Sequence, residues 1–210
     1  MKSMMNEFDI KATGWDKNNV HLERAQVIAD RLKEIIPVNP RMKAMEFGAG
    51  TGLLSFILKD LFASVTLIDN SAEMIRICNE KIAESKSYHL HSLKVDLETE
   101  DIDDRFDIIY SQMAFHHIGD INKMVNKFYN LLNNGGLLAV ADLFSEDGSF
   151  HGGGFKGHKG FDPEWLKSKM KDAGFKNVTY FKPFIQKRTE PDGSVKEYPV
   201  FLMIAKKLPE

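Results

Sequence analysis

The stretch AMEFGAGTGLLSF, Ala44–Phe56, places three glycines at alternate positions between two apolar runs. The run before the glycines predicts a strand over residues 42–47, and the run after them predicts a helix over 52–61. A turn without side chains lets a ligand approach the backbone, and the following helix offers N–H groups and the positive end of its dipole. We therefore expect a polar ligand to bind at this turn.

Strand-like and helix-like segments alternate along the chain on both sides of the turn. A helix is predicted over Val20–Ile36, ahead of the first strand. After the turn, the pattern predicts strands at 64–69, 91–97, 106–111 and 136–143, with helices at 71–85 and 121–132. Such alternation is typical of βαβ units, in which a parallel sheet is buried between helices.

The last third of the chain has a different pattern. Asp162 is a predicted helix cap, Pro163 occupies the first helical position and Gly174 ends the helix. Extended runs at 177–185 and 198–207 are separated by the turn signal EPDGS, so they form an antiparallel pair. The predicted fold is α/β, a Rossmann-like, seven-stranded, mostly parallel sheet with a C-terminal antiparallel hairpin and helices on both faces.

Length, charge and cysteine content narrow the class of protein. With 210 residues the chain suits one domain, and a formal net charge of -2 without a basic face argues against nucleic-acid binding. Cys78 is the only cysteine, which excludes an internal disulfide and suits a reducing compartment. No apolar run predicts a signal peptide or a membrane span. We expect a soluble, cytoplasmic protein whose oligomeric state the sequence leaves open.

The glycine spacing separates the possible cofactors. A dinucleotide fingerprint reads G-x-G-x-x-G, but in Gly48-Ala49-Gly50-Thr51-Gly52 the third glycine comes one position early. No Lys-Ser/Thr pair follows, so the turn is not a phosphate-binding loop of the G-x-x-x-x-G-K-S/T type. Both observations argue against a nucleotide phosphate at this position.

A set of motifs carries a family resemblance. Glu46 opens the glycine motif, Asp69 ends the second strand, Asp96 follows the third, and His116-His117-Ile118 follows the fourth. With these motifs and the closing hairpin, residues 20–207 resemble the class I S-adenosylmethionine-dependent methyltransferases, in their small-molecule branch. The resemblance implies S-adenosylmethionine as methyl donor and S-adenosylhomocysteine as product.

The resemblance also implies roles for individual residues. Asp69 would accept the ribose hydroxyls, Asp96 with the Leu97 N–H would contact the adenine edge, and Glu46 would lie near the methionine amino group. Asp69 and Asp96 have ordinary alternatives as helix-capping and turn acids, and the alternative for Asn70 is a role in the turn. The predicted cofactor-binding residues are Glu46, Gly48, Ala49, Gly50, Gly52, Asp69, Asn70, Asp96, Leu97 and Ser111.

The acceptor is expected where the fourth strand ends, because ligands of open α/β sheets bind at the carboxyl edge. Ser111 and Gln112 are candidates for contacts to the methionyl part of the donor. His116 and His117 are the candidate catalytic residues, as a base or to orient an acceptor, and packing is the alternative for each.

Residues 144–161 form a glycine-rich segment that we interpret as a lid over the acceptor. Gly152–Gly154 forbid a stable helix, and three phenylalanines read as apolar anchors: Phe150, Phe155 and Phe161. His151 and His158 lack acids at fixed spacing, so no metal is predicted. Trp15 could cover the same pocket or pin the N-terminus to the core.

The predicted organisation is one domain over 1–210. It comprises a helical lead-in at 1–40, a cofactor-binding core at 41–143, the glycine-rich segment at 144–161, and a helix with hairpin at 162–210. The predicted activity is methyl transfer by direct displacement to a small-molecule acceptor. The alternatives are an inactive protein that senses an adenosyl ligand and, less favoured, an NAD-dependent oxidoreductase.

Overall fold

The structure, a computed structural model, describes residues 7–37, 39–152, 154–190 and 192–209. Gly153 of the predicted lid and Pro191 of the predicted hairpin turn lie outside the described residues, as do residues 1–6 of the lead-in. The chain divides into two compact units, Met1–Ile102 and Asp103–Glu210. The single-domain organisation stays a prediction.

Seven strands form a mostly parallel sheet in the order β3-β2-β1-β4-β5-β7-β6, with helices around it, as predicted. The strands are β1 (Lys43–Phe47), β2 (Ser64–Asp69), β3 (Leu90–Lys94), β4 (Phe106–Gln112), β5 (Leu132–Leu143), β6 (Lys176–Thr189) and β7 (Val195–Lys206). The α-helices are α1 (Glu7–Lys11), α2 (Asn19–Ile35), α3 (Leu53–Leu58), α4 (Ala72–Ser85), α5 (Ile121–Leu131) and α6 (Pro163–Asp172). Short 3₁₀ helices cover Ala12–Lys17, Lys59–Leu61 and Phe115–His117.

In the first unit, β1, β2 and β3 run parallel. Phe47 is opposite Ile68, and Asp69 is opposite Lys94, so the glycine turn and Asp69 leave the same edge of the sheet. Burial of apolar side chains on β1 and β2 stabilises this edge of the sheet. Met45, Val65, Leu67 and Ile68 are fully buried.

In the second unit, β4 pairs parallel with β5, while β7 pairs antiparallel with β5 and with β6. The predicted C-terminal hairpin is therefore confirmed. Asp162 caps α6 by accepting the N–H groups of Glu164 at 2.8 Å and Trp165 at 3.2 Å. Among the described residues, no helix combines the length and the apolar character needed to cross a membrane.

Several predicted strand boundaries are wrong. β6 continues to Thr189 rather than ending at 185, and β7 begins at Val195 rather than 198, because the two strands pair as far as Thr189 and Val195. β3 ends at Lys94 rather than 97, because the Asp96 carbonyl accepts the N–H groups of Thr99 and Glu100 and turns the chain. β5 begins at Leu132 rather than 136, because Leu132 pairs with Phe106 of β4 and the Gly135 N–H donates to the Lys207 carbonyl. Asp96 and Leu97 consequently lie in a loop after β3.

Candidate functional site

The glycine turn joins β1 to α3 in a left-handed backbone conformation. Its φ angles are +66° at Gly48, +54° at Gly50 and +83° at Gly52. A Cβ atom added to Gly52 would lie 2.8 Å from Leu67 Cδ2, so this glycine is required by packing. A Cβ atom added to Gly50 would lie 3.8 Å from Trp15 Nε1 and meet only ordinary contacts. Packing therefore does not exclude a small side chain at Gly50, and the positive φ is what favours glycine there.

Asp69 fastens the turn to the end of β2. Its Oδ2 accepts the Gly50 N–H at 2.8 Å, and its Oδ1 accepts the Ser71 N–H at 2.8 Å. Burial raises the pKa of the Asp69 carboxyl, while these backbone N–H groups oppose that rise. A carboxylate has about four lone-pair sites, so two backbone bonds leave capacity for further donors. Asp69 combines the turn-stabilising alternative with the position expected for a ribose contact.

Glu46 is buried beneath the turn. It accepts the Ser55 N–H at 3.1 Å and also the Ser55 hydroxyl, which ties β1 to the first turn of α3. Burial raises the pKa of Glu46 to about 8. Burial likewise raises the pKa of the Cys78 thiol to about 12, which excludes a reactive thiolate near neutral pH.

Asp96, Leu97 and Asn70 complete the predicted donor residues of the first unit. Asp96 Oδ1 accepts the Glu98 N–H at 3.0 Å, so this acid stabilises the turn after β3, as its ordinary alternative proposed. Leu97 is buried and Asn70 is exposed. Their contacts to a donor stay predictions.

The N-terminal segment, residues 7–17, packs on the glycine turn and α4. Asp9 accepts the Ser71 hydroxyl at 2.6 Å. Asp16 accepts the Thr51 hydroxyl and pairs with Lys81 at 2.6 Å, and Lys81 also donates to the Thr51 carbonyl at 2.9 Å. Sequence analysis missed these contacts because they join residues far apart in the chain. The segment places Trp15 beside Gly50.

In the second unit, the last two residues of β4 have unpartnered polar side-chain atoms, and the residue after them has a rare backbone conformation. Ser111 Oγ and Gln112 Oε1 are buried, and neither has a hydrogen-bond partner in the described part of the chain. Met113 follows with a φ of +55°, a conformation rare for a residue with a side chain. Buried polar atoms without partners are uncommon in native proteins, and a ligand is one explanation for them.

His116 is enclosed and held by Asp142, which ends the apolar run of β5. Its Nδ1 lies 2.7 Å from Asp142 Oδ1, and its backbone N–H donates to Asp142 Oδ2 at 3.1 Å. His116 Nε2 is buried without a hydrogen-bond partner among the residues that the structure describes. Because a carboxylate only accepts, the proton of the neutral ring belongs on Nδ1 and the lone pair on Nε2.

Comparison with known proteins shows which family the chain is similar to. Residues 45–138 match a family described as "Methyltransferase domain". An uncharacterized methyltransferase of Schizosaccharomyces pombe is 31% identical over 154 residues, which cover 65% of this chain and 54% of that protein. The predicted resemblance to class I S-adenosylmethionine-dependent methyltransferases is confirmed. The predicted cofactor, S-adenosylmethionine, agrees with this resemblance.

Further relatives of the methyltransferase domain agree with this result. A malonyl-acyl-carrier-protein O-methyltransferase of Ilyobacter polytropus is 29% identical over 117 residues, 54% of this chain and 43% of that protein. The chain thus spans about half the length of these two relatives.

Solved structures share the fold of the methyltransferase domain. One is a methyltransferase in complex with the Haloferax volcanii Trm112 methyltransferase activator, with a TM-score of 0.78, 17% identity and coverage of 99% of this chain and 100% of that chain. Another is phosphoethanolamine N-methyltransferase 2 of Haemonchus contortus with phosphomonomethylethanolamine and S-adenosylhomocysteine, with a TM-score of 0.73 and 15% identity. It is covered over 61% of its length and this chain over 97%.

The matched range contains all predicted donor residues and both candidate catalytic histidines of the methyltransferase domain. Asp142 lies outside it, and so does His151, which brings a third imidazole to His116 and His117. Sequence analysis missed Asp142, although an acid inside the apolar run of a strand is a signal that could have identified it.

Proposed function

We propose that the chain is an S-adenosylmethionine-dependent methyltransferase that acts on a small-molecule acceptor. The match to the methyltransferase family supports methyl transfer. The net charge of -2 argues against a nucleic-acid acceptor. Two proteins of similar sequence or fold are named for malonyl-acyl-carrier protein and phosphoethanolamine, so acceptors of these chemical classes are the first to test.

The observation that carries the proposal is the attachment of Asp69 to the glycine turn. The Gly50 N–H bond of 2.8 Å fixes the carboxylate where the turn leaves space, and an acid in this position suits a ribose with two hydroxyls. Elsewhere, the buried Ser111 Oγ and Gln112 Oε1 have unused hydrogen-bonding capacity, which fits the predicted contacts to a polar ligand.

The chemistry asks little of the protein beyond binding and alignment. S-adenosylmethionine supplies a methyl group on a sulfonium centre, which needs neither a covalent intermediate nor a reducing agent. The glycine turn and Asp69 would hold and orient the donor, and alignment of this kind lowers barriers by up to about 7–11 kcal/mol. His116 and His117 stay the predicted acceptor-side residues. A base there would add about 10²–10⁴-fold for an acceptor that arrives protonated.

The direct test is product formation. The purified chain is incubated with methyl-labelled S-adenosylmethionine and with separate panels of acyl thioester carboxylates, small amines and phosphorylated amino alcohols. S-adenosylhomocysteine and methylated product are measured by mass spectrometry. We expect turnover with at least one panel, and Asp69→Asn lowers kcat/KM about tenfold or more.

Asp60→Asn is the matched control, because Asp60 is an exposed acid of the same unit. It should leave turnover unchanged. If the chain binds S-adenosylmethionine but no panel yields S-adenosylhomocysteine, the proposed enzyme activity is contradicted and the sensing alternative takes its place.

A further inference from the structure

Three imidazole side chains lie close together in the second unit, and the proposed methyl transfer does not account for the third of them. We propose that His116, His117 and His151 bind a divalent transition-metal ion of the zinc class. The possible ligand atoms of the three rings all lie within 4.8 Å of one another. The inference concerns this cluster alone and does not rest on donor binding.

His116 has the features of a metal ligand. Asp142 holds its Nδ1 at 2.7 Å, which leaves the lone pair of Nε2 to face away from the carboxylate. His116 is only 1% exposed, and its Nε2 is buried without a hydrogen-bond partner in the described ranges. In zinc sites the far nitrogen of a ligating histidine usually donates to a carboxylate, which fixes the tautomer and raises the basicity of the ring.

His117 and His151 are placed to complete the set. The ring centroids of His116 lie 4.2 Å from those of His117 and 4.7 Å from those of His151. Tetrahedral coordination with metal–nitrogen bonds of about 2.0–2.1 Å brings ligand atoms to about 3.4 Å of one another. A shift of roughly 1 Å is therefore required, of the size that a side-chain rotation provides.

His151 is the ligand best able to make this shift. It belongs to the glycine-rich segment, and Gly152 follows it with a φ of +79° and no atom of the described residues within 4 Å of an added Cβ. On the other side, the segment is anchored to His116, whose carbonyl accepts the His158 N–H at 2.7 Å. A metal ion would thus close the segment at a second point over the exit of β4.

The ligand chemistry selects the kind of ion. Three neutral imidazoles suit zinc, cobalt or nickel, whereas magnesium and calcium require oxygen ligands. The Asp142 carboxylate, which contacts His116 Nδ1, would balance part of the positive charge of the ion. The ring of Phe155 stacks on His151 at 3.9 Å and gives the cluster an apolar wall. Three protein ligands leave a fourth position open for water or another oxygen ligand.

The test uses the full chain without a histidine tag, stripped with a chelator and titrated with cobalt(II) and with zinc. Cobalt(II) in a site with three nitrogen ligands gives visible absorption bands, and calorimetry gives the zinc stoichiometry and affinity. We expect one ion per chain. His117→Ala and His151→Ala should each weaken binding at least about tenfold, and Asp142→Asn by about 10–100-fold.

His158→Ala is the matched control, because His158 lies on the same segment and touches His116 through its backbone N–H. It should bind metal like the unaltered chain. Zinc should also slow proteolysis within 148–160 in the unaltered chain and in His158→Ala, but not in His151→Ala. Thermal unfolding establishes that each variant is folded. If Asp142→Asn does not fold, the comparison of His151→Ala with His158→Ala still decides whether the cluster binds the ion.

Either of two results would overturn the proposal. One is the absence of cobalt bands at saturating ion. The other is equal affinity for His151→Ala and His158→Ala, which would mean that the ion binds adventitiously. Neither result bears on S-adenosylmethionine binding, which is measured separately on metal-free protein.

Discussion

At the scale of single residues, Gly52 is required by two independent constraints. Its φ of +83° disfavours a side chain, and an added Cβ would meet Leu67 at 2.8 Å and Cys78 Sγ at 3.2 Å. Gly135 has nearly the same φ, +84°, but open space around it. We expect Gly52→Ala to lower the free energy of unfolding by about 1–3 kcal/mol more than Gly135→Ala, because overpacking is added to backbone strain. Urea denaturation measures both, and equal losses would contradict the packing role.

We expect Gly50 to behave differently, because the constraint that we propose for it is a bound ligand rather than protein packing. An added Cβ would lie 3.7 Å from Met74 Sδ, an ordinary contact. We expect Gly50→Ala to cost about as much stability as Gly135→Ala, roughly 1–2 kcal/mol. Its affinity for S-adenosylmethionine should fall at least tenfold, about 1.4 kcal/mol. Unchanged affinity would show that the donor does not approach the backbone there.

Glu46 should make stability depend on pH. Its pKa is about 8 in the folded chain, above the ordinary 4.5, because burial disfavours the charged form. Between these values the unfolded state has lost a proton that the folded state keeps, so the free energy of unfolding falls as pH rises. Glu46→Gln cannot ionise and removes this loss. The measurement is the thermal midpoint of Glu46→Gln minus that of the unaltered chain. This difference should be larger near pH 9 than near pH 5 by about 2 °C or more.

Glu84→Gln, at an exposed position of α4, is the control for the pH experiment and should follow the unaltered chain. If Glu46→Gln shows the same pH dependence as this control, Glu46 is ionised in the folded protein and the assignment of its pKa is wrong.

At the scale of elements, the N-terminal segment is held to the glycine turn by few polar contacts. Asp16 contributes two of them, to the Thr51 hydroxyl and to Lys81. Loss of about 1 kcal/mol from Asp16→Ala should raise the local opening equilibrium of residues 7–17 roughly fivefold. Hydrogen exchange measures this opening, and β1 should keep its protection. Glu23→Gln, exposed on α2, is the control, and equal exchange in both variants would contradict the anchoring role.

Elements governed by local chemistry were predictable. Asp162 caps its helix as expected, and Ser71 caps α4 in the same way, because a cap depends on a side chain and backbone N–H groups within three residues. The alternation of strands and helices gave the sheet, since apolar periodicity reports burial directly. The start of β5 was missed because its first residue, Leu132, pairs with Phe106 of β4, and the Gly135 N–H donates to Lys207, which follows β7.

Much of the candidate site could not be predicted, because its contacts join distant parts of the chain. His116 and Asp142 are 26 positions apart, and Asp9 and Ser71 are 62 apart. No local pattern links such residues, so the sequence marked His116 without its partner. The glycine turn was the opposite case, because the glycines and Asp69 carry a recognisable spacing.

At the scale of the whole molecule, the proposed function requires that the chain bind S-adenosylmethionine rather than NAD. The most direct measurement is calorimetric titration of the purified full chain with S-adenosylmethionine, S-adenosylhomocysteine and NAD, repeated with Asp69→Ala. We predict binding of the two adenosyl ligands with dissociation constants of about 1–100 μM, no binding of NAD, and at least tenfold weaker binding by Asp69→Ala. Binding of NAD alone, or affinities within twofold for Asp69→Ala, would contradict the assignment of the glycine turn and of Asp69.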